Sequence, residues 1–450
     1  MVHKDEVVKK KTVSPIMKHE DEDVKVKKVT AVMKHEDEDV KVKKVTAVMV
    51  HEEEDVKVKK VTTTLMPEDE DVKMKTVAAT MMHEHVKVTN VTVVMIAVAK
   101  LSIVSTAHPT LKERSYSLRG VQRLSDLCSE VLVKISKVCI CENDDHYVYE
   151  GKLGDIEAKM PCGVCTACMG TVAYCGREVT DFKIGDRVTI EPGSPCGCCH
   201  MCTSGCYNLC EESTCYMTES VGGGCLAKYC MTKAHLVHKL PDCVCDEDGA
   251  MVQPLSMALH ACNRAEVSAG SHVLVSGAGC MGLLCVGVAK AMGATKIMVV
   301  DENGELLKKA CEMGADHTIL LNCNMDAATL AKRVEEEMGC PPNVSFECTS
   351  TKKGMNNCIH ATEASGTVMQ VGVCNEEVTL PLYLATMNEI DIKGICCSAN
   401  CFPVAIEMIE NNMVCVNKLI SKCYDFSHYQ DAFDFLHNND DCICCIVSCC

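Results

Sequence analysis

The sequence predicts an α/β protein with a doubly wound parallel sheet, and three observations carry that expectation. A strand–glycine–helix–strand run occupies residues 272–301. Four closely spaced cysteines, at 196, 199, 202 and 210, mark a short lobe built to hold a metal. A charged repeat of sixteen residues fills residues 1–95 and stands apart from both. At 450 residues the chain is long enough to bury at least two cores.

The repeat comes first along the chain. Met17-Lys-His-Glu-Asp-Glu-Asp-Val-Lys-Val-Lys-Lys-Val-Thr-Ala-Val32 recurs almost unchanged from Met33 and returns with substitutions further on. Each unit joins an acidic block to a Val/Lys alternation. The alternation is strand-like, but glycine and aromatics are absent and proline is rare, so turns and a packed core are hard to build. Opposite charges in each unit keep the tract solvated. A disordered or transiently extended arm is therefore expected, and His19, His35 and His51 are read as incidental rather than metal-binding.

The cysteine lobe reads C-x2-C-x2-C-x7-C from Cys196 through Cys199 and Cys202 to Cys210. That spacing lets a short loop offer four thiolates to one tetrahedral Zn²⁺. Four sulfur ligands leave no position open to water or substrate, so such a site is structural. Cys198 and Cys206 lie in the same stretch, and chance placement is the competing reading.

His272-Val-Leu-Val-Ser276 reads as a short buried strand, followed by Gly277-Ala-Gly279-Cys280-Met281-Gly282 and an apolar helix over 283–292. A second strand, Lys296-Ile-Met-Val-Val300, ends at Asp301. Gly277 permits the tight turn, Gly279 the close approach of a pyrophosphate, and Gly282 close helix–strand packing. The helix N-terminus receives phosphates and Asp301 an adenosine ribose, which favours NAD over NADP. Val371, Gly372 and Val373 are added to the cofactor set.

Beyond the arm, roughly residues 96–450 resemble the sorbitol (polyol) dehydrogenases, zinc- and NAD-dependent members of the medium-chain dehydrogenase family. The resemblance is carried by Val138-Cys-Ile-Cys141 with His146-Tyr147, by Gly185-Asp-Arg-Val-Thr-Ile-Glu-Pro-Gly193, and by Tyr207-Asn-Leu-Cys210. Pro254-Leu-Ser256, His260-Ala-Cys262, Val288–Ala294, Gly314-Ala-Asp316 and Glu389–Gly394 continue it. It implies a GroES-like β-rich catalytic domain over 96–255, resuming at 399–450, and a Rossmann NAD-binding domain over 256–398. It also implies a homo-oligomer, a tetramer in the family.

The same resemblance implies a catalytic Zn²⁺ that binds the substrate alcohol and lowers its pKa, so that hydride can pass to the nicotinamide. Cys141 holds the position of the family's cysteine ligand. The Gly-His-Glu that should follow is Cys165-Thr166-Ala167, and the later glutamate is Gln253. Thr and Ala cannot replace imidazole and carboxylate, and an amide is a weak donor to zinc. Glu142-Asn143 stands where the family has Gly-Ser, Cys396-Cys397-Ser398 where it has Phe-Arg-Tyr, and Leu306 where it has a basic residue. A site rebuilt from Cys141 with Cys165 or Cys168, flanked by Asp144 and His146, is the alternative, and Cys162 lies in the same segment.

The chain carries 37 Cys, 27 Met and no Trp, and its cysteines begin at Cys128. Relaxed constraint would scatter thiols in this way. Selection for a cross-linked material is the competing account, and the terminal run Cys442-Ile-Cys-Cys-Ile-Val-Ser-Cys-Cys450 suits it. The charged N-terminus reads as no signal peptide, and the apolar run 91–99 is too short to span a bilayer, leading instead towards a first strand at 101–104. These readings place the protein in the reducing cytoplasm with no membrane partner. A formal net charge of −17 disfavours nucleic acid. The sequence thus reads as a polyol-dehydrogenase scaffold that keeps NAD and structural zinc while much of its catalytic zinc site is replaced. An active polyol dehydrogenase with a rebuilt site and a sulfur-rich structural protein are the alternatives.

Overall fold

Two kinds of apolar pattern divide the chain between two large sheets. A computed structural model describes residues 26–33, 43–51 and 61–65 as backbone, and residues 128–153, 156–157, 164–213, 224–322, 324–373 and 377–449. The expected strand at 101–104, the run 91–99, Cys162 and most of the repeat arm lie outside these residues. Two units separate at Val91/Thr92. In the first, strands β1 (Val26–Met33), β2 (Lys43–His51) and β3 (Val61–Leu65) pair antiparallel in that order. They fall on the Val- and Thr-rich end of each repeat unit, whose β-branched residues suit a pleated ribbon.

In the second unit, β4 (Glu130–Ile140) alternates: Val131, Val133 and Ile135 are buried while Lys134 is exposed, so one face meets a core. Helix α1 (Glu142–Tyr149) follows, then a two-residue hairpin, β5 (Lys152–Leu153) and β6 (Ile156–Glu157). Next come β7 (Ala167–Cys175), β8 (Arg187–Ile190), a single turn α2 (His200–Thr203), β9 (Tyr229–Lys233) and β10 (Val237–Lys239). With the C-terminal β17 (Ile420–Asp425) and β18 (Cys444–Ser448) these make a seven-stranded sheet of order 10-8-7-4-18-17, with β9 on β4.

Helices α3 (Asp246–Ala250) and α4 (Val252–Arg264) lead out of that sheet. Pro254 sits in the first turn of α4, where its missing N–H costs nothing. A parallel sheet then alternates with helices. It runs β11 (His272–Ser276), α5 (Cys280–Ala291), β12 (Lys296–Asp301), α6 (Gly304–Met313), β13 (His317–Leu320), α7 (Ala327–Met338) and β14 (Val344–Glu347). It continues through α8 (Lys352–Ala361), β15 (Thr367–Gln370), α9 (Leu382–Met387) and β16 (Asp391–Gly394). The strand order, 13-12-11-14-15-16, is the doubly wound 3-2-1-4-5-6 arrangement. Its inner strands are apolar on both faces because helices cover both.

Helix α10 (Phe402–Glu410) and α11 (Tyr429–Asn438) close the chain around β17 and β18. One core runs from Cys139, Ala167 and Met169 of the first sheet through Leu255 and Leu259 of α4 to Val273 and Phe346 of the second. It fixes the floor between the two sheets, where the site residues gather. Among the described residues no helix is long and apolar enough to cross a membrane.

Candidate cofactor and metal sites

The parallel sheet reverses direction of build between β11 and β14, and a crevice opens there at the strand C-termini. Gly277 leaves β11 at φ +101°, a left-handed conformation that only glycine adopts cheaply. A Cβ at Gly282 would lie 1.9 Å from the Gly277 carbonyl oxygen, so helix and turn touch through backbone. Gly279 caps α5, and a Cβ there would meet a single atom within 4 Å, Oε2 of Glu142 at 3.6 Å. The cradle is therefore open in front of Gly279, with the amide ends of α5 at Cys280 and Met281 behind it, as phosphate binding requires.

Asp301 ends β12 beside this turn. Its Oδ2 accepts the Ala278 N–H at 2.7 Å and its Oδ1 the Asn303 N–H at 2.7 Å. A ribose hydroxyl can still be received, because each carboxylate oxygen has a second lone pair. Val371 and Gly372 both donate their N–H groups to the Glu347 carbonyl at 2.9 Å. Val371 is buried, and Val373, two residues on, is exposed at the rim. A Cβ on Gly372 would meet Ser350 N at 2.5 Å, so this loop also closes backbone to backbone.

Sequence reasoning did not find Glu347, a fully buried carboxylate on the crevice floor. It accepts the Thr349 N–H at 2.7 Å and the Gln370 amide at 2.8 Å, and the Thr349 hydroxyl hydrogen-bonds it as well. Gly354 leaves it room, since a Cβ there would sit 2.4 Å from Glu347 Oε1. Nothing local in the sequence marks this network. Its members come from three separate strands and loops. The placement of Glu142 against Gly279 was equally hidden, because it joins the two sheets.

The four cysteines of the lobe converge. The sulfurs of Cys196, Cys199, Cys202 and Cys210 all lie within 4.8 Å of one another. Cys196 to Cys202 is 3.9 Å and Cys199 to Cys210 is 3.8 Å. Zinc–sulfur bonds of about 2.3 Å imply tetrahedral edges of about 3.8 Å, so the donor set fits Zn²⁺ with almost no movement. Backbone N–H groups support the sulfurs: Cys199 donates to Cys196 at 3.3 Å, Cys202 to Cys199 at 3.4 Å, and Cys196 to Cys210 at 3.4 Å. The amides of Cys198 and Cys199 draw the Cys196 thiol down to about 6. Desolvation, then the neighbouring sulfurs, push Cys202 up to about 12. A divalent cation would remove that conflict by ionising all four. Tyr207 and Asn208 tether the lobe to the segment after β16. The Tyr207 hydroxyl accepts the Asn400 N–H at 2.7 Å and donates to buried Glu191, and Asn208 donates to the Cys396 carbonyl at 2.8 Å.

The residues that the sequence resemblance sets at a catalytic zinc look different. Cys141 caps α1, its N–H held by Asp144 Oδ2 at 3.0 Å and its thiol directed to the same oxygen at 3.5 Å. Burial raises the Asp144 carboxyl to about 6, and the Cys165 thiol also hydrogen-bonds it. Cys165 has φ +65°, a conformation that glycine adopts more cheaply than cysteine. Thr166 is half-buried, and Ala167 opens β7 opposite Cys139, packed into the main core. Buried Gln253 turns its amide to the Met257 thioether at 3.1 Å. Cys168 lies away from Cys141, in the other core with Cys225 and Cys230. Among the described residues, no second group of three or more His, Cys, Asp or Glu side chains converges as the tetrad does. Leu306 is buried in the main core, Cys396 and Cys397 are exposed, and Ser398 is buried against Ser256 at 2.9 Å.

Comparison with known proteins agrees with this anatomy. The zinc-binding dehydrogenase family model matches residues 280–411, and the alcohol dehydrogenase GroES-like domain model matches residues 128–242. By class the protein is a zinc-containing medium-chain dehydrogenase with a GroES-like domain and a Rossmann-like sheet. Sorbitol dehydrogenase from Gallus gallus is 38% identical over 306 residues, which is 68% of this chain and 86% of its own length. The chain belongs to the sorbitol dehydrogenase family. Among solved structures, an Escherichia coli oxidoreductase/dehydrogenase of unknown specificity superposes with a TM-score of 0.66 at 31% identity, covering 71% of this chain and 92% of its own. L-idonate 5-dehydrogenase from Escherichia coli gives a TM-score of 0.66 at 26% identity, covering 71% and 91%.

Proposed function

We propose that this protein binds NAD and one structural zinc on a sorbitol dehydrogenase scaffold, and that it has lost all or most polyol oxidation. The observation that carries the reading is the state of three ligand positions. Ala167 contributes only a methyl group to the core, Thr166 offers a hydroxyl, and the Gln253 amide is engaged with Met257. None is a strong zinc donor. Gly277, Gly279, Gly282 and the first turn of α5 would hold the pyrophosphate, Asp301 the ribose, and 371–373 the nicotinamide side. NAD, when bound, supplies a hydride acceptor. Zinc at Cys196, Cys199, Cys202 and Cys210 holds the lobe rather than substrate, since four sulfurs fill its coordination.

The domain division belongs to the same reading: 96–255 with 399–450 as the GroES-like domain, and 256–398 as the NAD-binding domain. So does a homo-oligomer. Exposed Leu382, Tyr383 and Met387 on α9 and Ile392 on the open edge strand β16 offer a second copy an apolar, hydrogen-bonding margin. A reducing, cytoplasmic setting suits a tetrathiolate, which needs its cysteines reduced.

NADH fluorescence titration alongside a sorbitol and xylitol turnover assay tests the proposal. Saturable NADH enhancement without chelator-sensitive turnover is the expected result. Turnover abolished by a chelator would favour the second reading, a metal site rebuilt around Cys141, Asp144 and Cys165, which the contacts of Asp144 with both thiols support.

A further inference from the structure

We propose that Cys442 and Cys445 form a thiol–disulfide exchange site that closes to an intramolecular disulfide on reaction with a low-molecular-weight disulfide such as glutathione disulfide. The two cysteines are spaced C-x-x-C across the entry to β18, and their sulfurs stand 3.7 Å apart. That is contact distance, and a modest rotation of Cys442, which lies outside the strand, brings them to bond length. The pair is asymmetric. Cys442 is half-buried at the surface beside Asn439, whereas Cys445 is fully buried on β18, paired with Ile140 of β4. An accessible attacking thiol in front of an inaccessible resolving thiol is the arrangement that exchange chemistry uses.

Electrostatics points the same way. Hydrogen bonds from the Cys445 thiol and then the Ser421 hydroxyl bring the Cys442 thiol down to about 7, while Cys445 is pushed up by its partner and by burial. Cys442 is therefore the sulfur that ionises and attacks. Ser421 also accepts the Ile443 N–H at 2.9 Å, which fixes the turn that presents Cys442. Neither residue belongs to the crevice or to the zinc lobe, so the site is separate from the reading above.

The chemistry balances in two exchanges. The Cys442 thiolate attacks one sulfur of glutathione disulfide. The S–S bond breaks, a mixed disulfide forms, and the released glutathione takes up the proton that Cys442 gave to solvent. Cys445 then loses its proton and attacks Cys442 Sγ, and the second glutathione leaves as a thiol. One glutathione disulfide is reduced to two glutathiones, and two protein thiols are oxidised to one disulfide.

The test uses the full-length, reduced, zinc-loaded chain equilibrated with mixtures of glutathione and glutathione disulfide, quenched by alkylation and mapped by mass spectrometry after trypsin. Cleavage after Lys422 yields a peptide from Cys423 to the end of the chain. As glutathione disulfide rises, that peptide is expected to lose two alkylation mass increments and two further hydrogens relative to its fully reduced form, with Cys442 and Cys445 joined and Cys423 alkylated. Cys445→Ser is expected to stop at one glutathione on Cys442, and Cys442→Ser to leave Cys445 unmodified. Cys442 remaining alkylated in the wild type, or bonding to exposed Cys423 or to Cys444, would overturn the proposal. The wild-type map decides the pairing alone, so a poorly folded variant does not weaken the test.

Discussion

Replacing Cys196 by serine removes one sulfur from the tetrad and leaves the rest of the lobe in place. The magnitude follows from how little else holds that lobe. Between Cys196 and Cys210 only Cys210 is buried, and both helical pieces are a single turn. Metal rather than apolar packing must therefore support its folding. Structural zinc sites are worth roughly 10–16 kcal/mol in small peptides, so each of four equivalent thiolates carries roughly 3–4 kcal/mol. Losing one should weaken zinc by a factor on the order of 10² to 10³. Cys198 is the control. It is exposed, its sulfur lies 3.7 Å from that of Cys196, and it falls outside the converging set. The assay is zinc per chain by elemental analysis, with competition against a chromophoric chelator. One zinc in the wild type and in Cys198→Ser, but none in Cys196→Ser after challenge, is expected. Full retention in Cys196→Ser, or loss in Cys198→Ser, would refute the assignment of the four ligands. A second zinc surviving in Cys196→Ser would show that Cys141 has recruited new partners.

Gly282→Ala should disable cofactor binding, because its Cβ would stand 1.9 Å from the Gly277 oxygen and 3.3 Å from Val275 Cγ1. Overpacking of about 1–3 kcal/mol must be relieved by moving the turn itself, so NADH titration should show a Kd weaker by about fivefold to 150-fold. An unchanged Kd would mean that the pyrophosphate does not lie against this turn. Glu130 gives a pH-dependent case: the Lys233 ammonium, followed by the Cys128 and Ser129 amides, holds its carboxyl below the ordinary 4.5. Its stabilisation is complete above that ordinary value and is lost as pH falls through the depressed one. Glu130→Gln should thus lower stability by about 0.5–1 kcal/mol near neutrality, the pair being partly solvated, and the gap should close in acid. Urea unfolding at several pH values measures it, and a gap that widened below the ordinary value would be the wrong sign.

How far the fold could be read in advance depended on the range of the interactions. Gly277, Gly279, Gly282 and Asp301 sit within one βαβ unit, and so do the forces that give each its conformation. The tetrad is likewise local, spanning residues 196–210. The buried Glu347 network was illegible because Gln370, Thr349 and Gly354 earn no motif until β14 and β15 pair. Glu142 facing Gly279 and Asp144 bridging Cys141 and Cys165 depend on contacts between distant segments, which spacing along the chain does not encode. In the repeat, β1, β2 and β3 lie largely on the segments that follow each Val/Lys alternation rather than on the alternation itself.

The left-handed turn at Cys165 separates the route of the main chain from the side chains it carries. A cysteine now bears a conformation that costs an L-residue roughly 1–2 kcal/mol. The β4–β7 ladder, running from Cys139↔Ala167 to Val131↔Cys175, begins two residues on, and the Cys225 N–H holds the Cys165 carbonyl at 2.8 Å. Positions 166 and 167 can therefore change chemistry while the track beneath them stays fixed. A designer who wished to place metal ligands here would begin with side chains on an existing path.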